Sequence, residues 1–205
     1  MKKIIGILLF IVLINSTVLA QSSLTPNQVL AKTVASITGS KAVEARFTIN
    51  NSGYSGSGVI KTTADKFNVT LPDVEVWYNG KEMYTYNKGT SETTVVIPTI
   101  EELTESNPLA YVTEAAKKYN VVYSTVKKTG KYVLELTPKT KGEIKRITLT
   151  VKKENYHPEK IVVEPMRGNP ITAEISSFKT GITLSSSEFD YPKTKYPKVE
   201  IIDLR

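Results

Sequence analysis

Cysteine is absent from this 205-residue chain, and histidine and tryptophan each occur once. Without thiols there is no disulfide and no Cys-based zinc site. With one histidine there is no His pair at metal-ligand spacing. That residue, His157, lies in Tyr156-His157-Pro158-Glu159. Proline and flanking charges place it in a turn, where it reads as a solvated loop residue without the orienting partners a catalyst needs. A Gly-rich phosphate loop and a Gly-x-Ser-x-Gly elbow are also missing. No carboxylate pair is singled out for glycoside chemistry. The expectation is a protein that is not an enzyme, with no cofactor and no metal.

Long apolar runs are scarce too. The one that stands out, Ile4 to Ile14, follows Lys2-Lys3 and precedes Val18-Leu19-Ala20. This is the form of a secretory leader cleaved after Ala20. It is too short to span a bilayer, which takes ~20 residues. Polar Gln21-Ser22-Ser23 follows, with no Cys to acylate. The expected product is a soluble exported chain, residues 21–205, forming one domain. The formal charge of +7 includes Lys2 and Lys3. The remaining lysines are scattered, with no Arg-rich block, so nucleic acid is not an expected partner. Such lysines solvate strands and blunt sheet edges, and they attract anionic membrane surfaces only weakly.

What is present is alternation. The richest stretch is Val74–Asn87, where Asn79-Gly80 separates two β-prone runs. Asn-Gly predicts a two-residue type I′ turn, with φ > 0 at both positions. In that register Tyr78 faces Lys81, Trp77 faces Glu82 and Val76 faces Met83. One face carries Val74, Val76, Tyr78, Met83 and Thr85. The other carries Glu75, Trp77, Glu82, Tyr84 and Tyr86. Two readings fit this load: a central hairpin with core on one side, or one wall of a greasy cavity.

Around it, Thr25-Pro26 caps a first helix bearing Val29, Leu30, Val34 and Ile37, with a stop at Gly39. From Lys41 the period changes to two, in Val43, Ala45, Phe47 and Ile49. Asn50–Gly58 reads as a turn or a loose, kinked strand. Phe67, Val69 and Leu71 alternate next, and Thr93–Ile97 is a further strand. Thr99 with Glu102 has the capping-box form, and Asn107-Pro108 is a second cap. Two short helices are therefore expected, at 99–105 and 108–119. The second carries Leu109, Val112, Ala115, Ala116 and Tyr119, with Tyr111 flanking. Strands resume at 121–127, 132–137, 144–152 (Ile147, Leu149 and Val151 inward), 160–164 and 171–178. Short pieces follow near Leu184 and Val199.

Ten or so short strands without alternating crossover helices make a mainly β fold with helices. The expected architecture is one antiparallel sheet, large and curved, or an unclosed barrel. The N-terminal helix and the two middle helices cover one face of it as a lid. If the sheet curves, apolar volume remains between sheet and helices; otherwise the layers pack dry. The candidate lining comes from both. The strands supply Val43, Ala45, Phe47, Phe67, Val69, Leu71, Ile147, Leu149 and Val151. The lid supplies Leu109, Val112, Ala116 and Tyr119.

Several short motifs, in order, resemble those of the LolA-type lipoprotein carriers. They are Lys41–Phe47, Gly58-Val59-Ile60 leading to Lys66-Phe67, and Asn79-Gly80-Lys81 with Tyr84-Thr85-Tyr86-Asn87. Pro108-Leu109, Leu136-Thr137-Pro138-Lys139 and Glu188-Phe189 complete the series. The tail Pro197–Arg205 is similar to that of Bacteroidetes-type members. The resemblance implies an unclosed antiparallel β-barrel lidded by helices. It also implies a periplasmic carrier that shields lipoprotein acyl chains between inner and outer membrane. Its implied partners are acylated lipoproteins or other lipid cargo, an inner-membrane ABC transporter complex and an outer-membrane acceptor, and it would work as a monomer. Same-fold alternatives are a lipid- or lipoprotein-sensing regulatory module and a carrier for glycolipid export. The Arg-Pro that precedes the Phe in well-studied carriers is replaced by Thr62-Thr63-Ala64-Asp65-Lys66 before Phe67, so no latch role passes to any residue here.

Overall fold

The computed structural model describes residues 23–205; the expected leader and its cleavage after Ala20 lie outside the described residues. Helix α1 spans Pro26–Thr38. Six strands follow: β1 Val43–Asn51, β2 Tyr54–Thr62, β3 Phe67–Thr70, β4 Val74–Tyr78, β5 Met83–Asn87 and β6 Glu92–Val96. The helical stretch holds α2 Ile100–Ser106, α3 Ala110–Thr113 and α4 Ala115–Lys118. Then come β7 Tyr119–Tyr123, β8 Lys131–Pro138, β9 Ile144–Lys152, β10 Pro158–Pro165, β11 Ile171–Thr180 and β12 Glu200–Asp203. Among the described residues no helix is long and apolar enough to cross a membrane.

All twelve strands form one sheet in the order β12-β6-β5-β4-β3-β2-β1-β11-β10-β9-β8-β7. Its two end strands do not pair with each other, so the barrel is unclosed. The sheet is two antiparallel meanders, β1–β6 and β7–β11, joined where β1 pairs with β11. β6 lies near one margin and β7 at the other. Residues 97–118 must therefore cross from one side of the open sheet to the other, which is why the middle helices lie over its concave face.

That face holds the core. Its buried residues include Val43, Ala45 and Phe47 of β1, Val69 of β3, Ile147, Leu149 and Val151 of β9, and Val29, Leu30 and Ile37 of α1. The period of two puts these strand residues on one side, and α1 covers them with a single stripe. The opposite face is dressed with ion pairs between neighbouring strands, such as Arg146 with Glu164 at 2.7 Å and Lys160 with Glu174 at 2.7 Å. Curvature is built in at one level of the sheet. A bulge between Arg46 and Phe47 leaves Ser176 unpaired on β11, with its hydroxyl donating to the Arg46 carbonyl. Gly58 stands directly across from Phe47 on β2. A Cβ on Gly58 would come within 2.9 Å of the Phe47 ring and 2.7 Å of the Thr70 carbonyl oxygen. Bulges and close glycines are how a sheet bends.

Several expectations are corrected here. The central hairpin closes on Tyr78 opposite Met83, with Trp77 opposite Tyr84. Gly80 takes φ +97 but Asn79 stays out of the left-handed region. The Asn79 side-chain oxygen instead accepts from the Lys81 and Glu82 amides, at 3.0 and 2.9 Å, making a four-residue loop. The register moves by two residues, so each side chain keeps its face. The stretch Asn50–Gly58 is regular: β1 and β2 pair continuously to Asn51 opposite Tyr54, around a tight turn at Ser52-Gly53. The helix expected at 108–119 is two single turns broken at Glu114, and Tyr119 opens β7 instead. Near Leu184 there is no strand; a 3-10 turn forms at Ser186–Phe189. Strand β12 pairs with β6 in parallel, the one parallel pairing among the described residues.

The segment before β12 covers the outer face of the hairpin. Trp77 and Tyr86 are buried there with Tyr191, and Tyr84 and Tyr196 pack against them. Glu75, buried on the same face, meets Lys88 at 3.4 Å, Lys195 at 3.3 Å and the Tyr196 hydroxyl at 3.2 Å. The aromatic side of the hairpin is thus structural, and its Val74–Val76–Thr85 side faces the concave interior.

Candidate functional site

The concave face is not filled throughout. A cavity of about 320 Å³ lies between it and the corner where α2 meets α3. Its strand walls are Phe47 and Ile49 of β1, Val69 and Leu71 at the end of β3, and Val74 and Val76 of β4. Across the seam stand Ile161 and Val163 of β10 and Ile171 and Ala173 of β11. The corner supplies Glu105, Ser106, Pro108 and Tyr111. Ligand pockets run from roughly 300 to 1,000 Å³, so this one is small and mostly apolar. Its polar groups are few: the Thr85 hydroxyl, Ser106 and the exposed Glu105 at the rim. Such a surface suits hydrocarbon and offers nothing that would bind a nucleotide or a metal. Among the described residues no group of three or more His, Cys, Asp or Glu is placed to hold an ion.

The corner that roofs the cavity is made by local sequence chemistry. The Thr99 hydroxyl accepts from the Glu102 amide at 3.2 Å, and the Glu102 carboxylate accepts from the Thr99 amide at 2.7 Å. This reciprocal cap starts α2. The Asn107 side chain accepts from the Leu109 amide at 2.9 Å and turns the chain into α3. Helices of one or two turns are marginal alone, so packing must hold them. Leu109, Val112 and Ala115 supply it, each buried against the core. Tyr111 is half-buried on the cavity side, and burial pushes its phenol above the ordinary range, so it stays neutral.

Of the residues expected to line an acyl site, Phe47, Val69 and Leu71 border this cavity. Val43, Ala45, Phe67, Ile147, Leu149, Val151, Leu109 and Val112 lie in the packed core, away from the cavity. Tyr119 is half-buried and lines a neighbouring groove instead. Ala116 is exposed, and Ala115 is buried in its stead. The break at Glu114 spaces the buried positions three apart at 109, 112 and 115, where an unbroken helix brings 116 round. Ile49, Val74 and Val76 were legible as members of the right alternating faces. Ile161, Val163, Ile171 and Ala173 carried no signal beyond strand alternation, because only the β1–β11 pairing brings them across the same space.

The model of the family described as outer membrane lipoprotein carrier protein LolA matches residues 16–169. The chain belongs to this family. The matched stretch ends between β10 and β11, so Tyr191, Tyr196 and β12 of this LolA-family chain lie beyond it. No curated protein matches the sequence. Among solved structures, an uncharacterized conserved protein from Thermus thermophilus superposes with a TM-score of 0.59 at 12% identity, covering 85% of this chain and 96% of that one. At that identity the likeness shows the fold alone. A LolA superfamily protein from Nitrosomonas europaea gives 0.41 at 12% identity, over 82% and 99% of the two chains. A putative outer membrane lipoprotein-sorting protein domain from Vibrio parahaemolyticus gives 0.44 at 12% identity, over 78% and 94%.

Proposed function

We propose that this LolA-family protein is a periplasmic carrier that holds an acyl chain of a lipoprotein, or of another lipid cargo, in the cavity beneath the α2–α3 corner. The leader expected at residues 1–20 would bring it there. Cargo would be handed on by an inner-membrane ABC transporter complex and passed to an outer-membrane acceptor. The observation that carries the reading is the cavity itself: ten apolar side chains on a bent sheet, roofed by helices too short to stand alone. Each methylene removed from water is worth ~0.8 kcal/mol. A chain in transit through water therefore gains from such a sheath. Release needs a cover whose packing contacts can be exchanged for ligand contacts, and short helices held by a few residues meet that need. The lining is dominated by hydrocarbon, with its few polar groups at the roof and rim, which favours binding an apolar chain.

The test is binding of a fluorescent palmitoyl probe. Ile171 lines the cavity but remains 38% exposed, so Ile171→Asp leaves a hydrated carboxylate and an intact core. It is expected to weaken the probe by about tenfold or more, a loss of ~1.4 kcal/mol. Lys66→Glu, before β3 and away from the cavity lining, is expected to leave binding unchanged. If Lys66→Glu abolished binding and Ile171→Asp did not, surface charge would hold the ligand and the carrier reading would fall.

A further inference from the structure

A second, larger space adjoins the cavity. It is an open groove of about 810 Å³ between α2, α4 and the β8–β9 loop. Glu105 and Tyr111 line both spaces, so the last turn of α2 and the first residues of α3 form their common wall. The two sides of that wall differ in chemistry. Four lysines and four glutamates line the groove, against one glutamate at the rim of the cavity. Two of these pairs already meet, Lys117 with Glu114 at 3.3 Å and Lys118 with Glu101 at 3.9 Å. The loop that walls the groove is tied down at both ends. The Lys139 ammonium donates to the carbonyls of Ala116 and Lys117, at 3.3 and 3.1 Å. The Glu143 carbonyl accepts from the Met166 amide at 2.6 Å.

An amphiphile lying across the shared wall would place hydrocarbon on one side and polar atoms on the other. We propose that the groove receives the polypeptide segment that carries the acyl group, with the acyl chain itself beyond Tyr111 in the cavity. This rests on the carrier reading above and extends it to the protein part of the cargo. Balanced charge selects the class. A phosphate headgroup finds no net positive field among equal numbers of lysines and glutamates. A peptide presents N–H donors and C=O acceptors together and needs both kinds of partner, which this lining supplies. The groove is also more than twice the volume of the cavity, too much space for a small headgroup alone.

Two probes separate the parts: a palmitoyl chain on a fluorophore, and the same chain and fluorophore on a short, neutral, Ser/Asn-rich peptide. Gly142 offers a clean way to fill the groove. It lines it, and a Cβ there meets nothing within 4 Å. Gly142→Trp is expected to weaken the acyl-peptide about tenfold and to leave the free acyl probe within about twofold. Thr140→Trp, exposed on the same loop, is expected to act alike and serves as the second variant should the first fail to fold. An acyl-peptide that binds both tryptophan variants as it binds the wild type would overturn the groove proposal and leave the carrier reading standing. Equal loss of both probes would overturn the division into two compartments. Failure of the free acyl probe to bind the wild type would overturn the carrier reading and the proposal with it, whereas failure of the acyl-peptide alone would overturn only the groove proposal.

Discussion

Trp77 meets Tyr191 edge to face, with 5.4 Å between ring centroids and 78° between planes. This contact joins the central hairpin to a segment more than a hundred residues later, and it closes the outer face of the sheet. Edge-to-face pairs add ~0.5–1.5 kcal/mol to the area they bury. Tyr191 also accepts a hydrogen bond from the Thr93 hydroxyl at 3.0 Å. Tyr191→Ala is predicted to cost about 3 kcal/mol in urea unfolding. Tyr191→Phe should cost about 1 kcal/mol, because it removes the acceptor of a buried hydroxyl. Neither should change palmitoyl-probe affinity, since the cluster faces away from the cavity. A large fall in affinity with unchanged stability would contradict the structural role.

Gly58 is predicted to be intolerant of a side chain, although its φ is ordinary. A Cβ would press on the Thr70 carbonyl at 2.7 Å, which is backbone and cannot swing aside. It would also press on the Phe47 ring, a wall of the cavity. Gly58→Ala should destabilise the fold by about 1–3 kcal/mol. It should lower probe affinity as well, because the displaced ring enters the cavity. Thermal melting and probe titration on the same variant measure both. A stable variant with wild-type affinity would show that Phe47 has room to move.

The α2 cap should govern how readily the roof opens. Thr99→Ala removes an N-cap worth ~1 kcal/mol. No residue of α2 is buried, so the effect should stay local. Hydrogen exchange of amides 100–106 should speed up severalfold while the global melting temperature barely moves. Bound palmitoyl probe should also dissociate faster. Unaltered exchange in α2 would mean that packing of Leu103 and Leu109, not the cap, limits its opening.

His157 carries a pH prediction. It is half-buried against Phe178, with 4.7 Å between rings, rather than fully solvated. Burial, then the nearby Lys152 charge, hold its pKa below the ordinary 6.5, with Glu154 opposing. The unfolded chain therefore takes up the proton first. Stability from this group is complete above pH 6.5 and falls as the solution is acidified through that value toward the lower folded pKa. His157→Gln should flatten this part of the pH–stability curve in urea titrations. A slope of the same size in the variant would assign the effect to other groups.

The sequence alone determined the faces. Alternation at Val43–Ile49 and Phe67–Leu71 and the caps at Thr25 and Thr99 are local signals, and the elements formed where they predicted. Even the misjudged turn at Asn79-Gly80 did no damage, because a shift of two residues preserves side-chain parity. What tertiary structure decided is which members of a face are covered and by what. Val43 and Phe47 share one strand and one face, yet only Phe47 reaches the cavity. The difference lies in helices contributed by distant parts of the chain. The outward turn of Trp77, Tyr84 and Tyr86, the parallel pairing of β12 and the exposure of Ala116 are of the same kind. A side chain's period records its own strand or helix. It carries no record of the surface that folding lays against it, and that surface separates packed core from cavity wall.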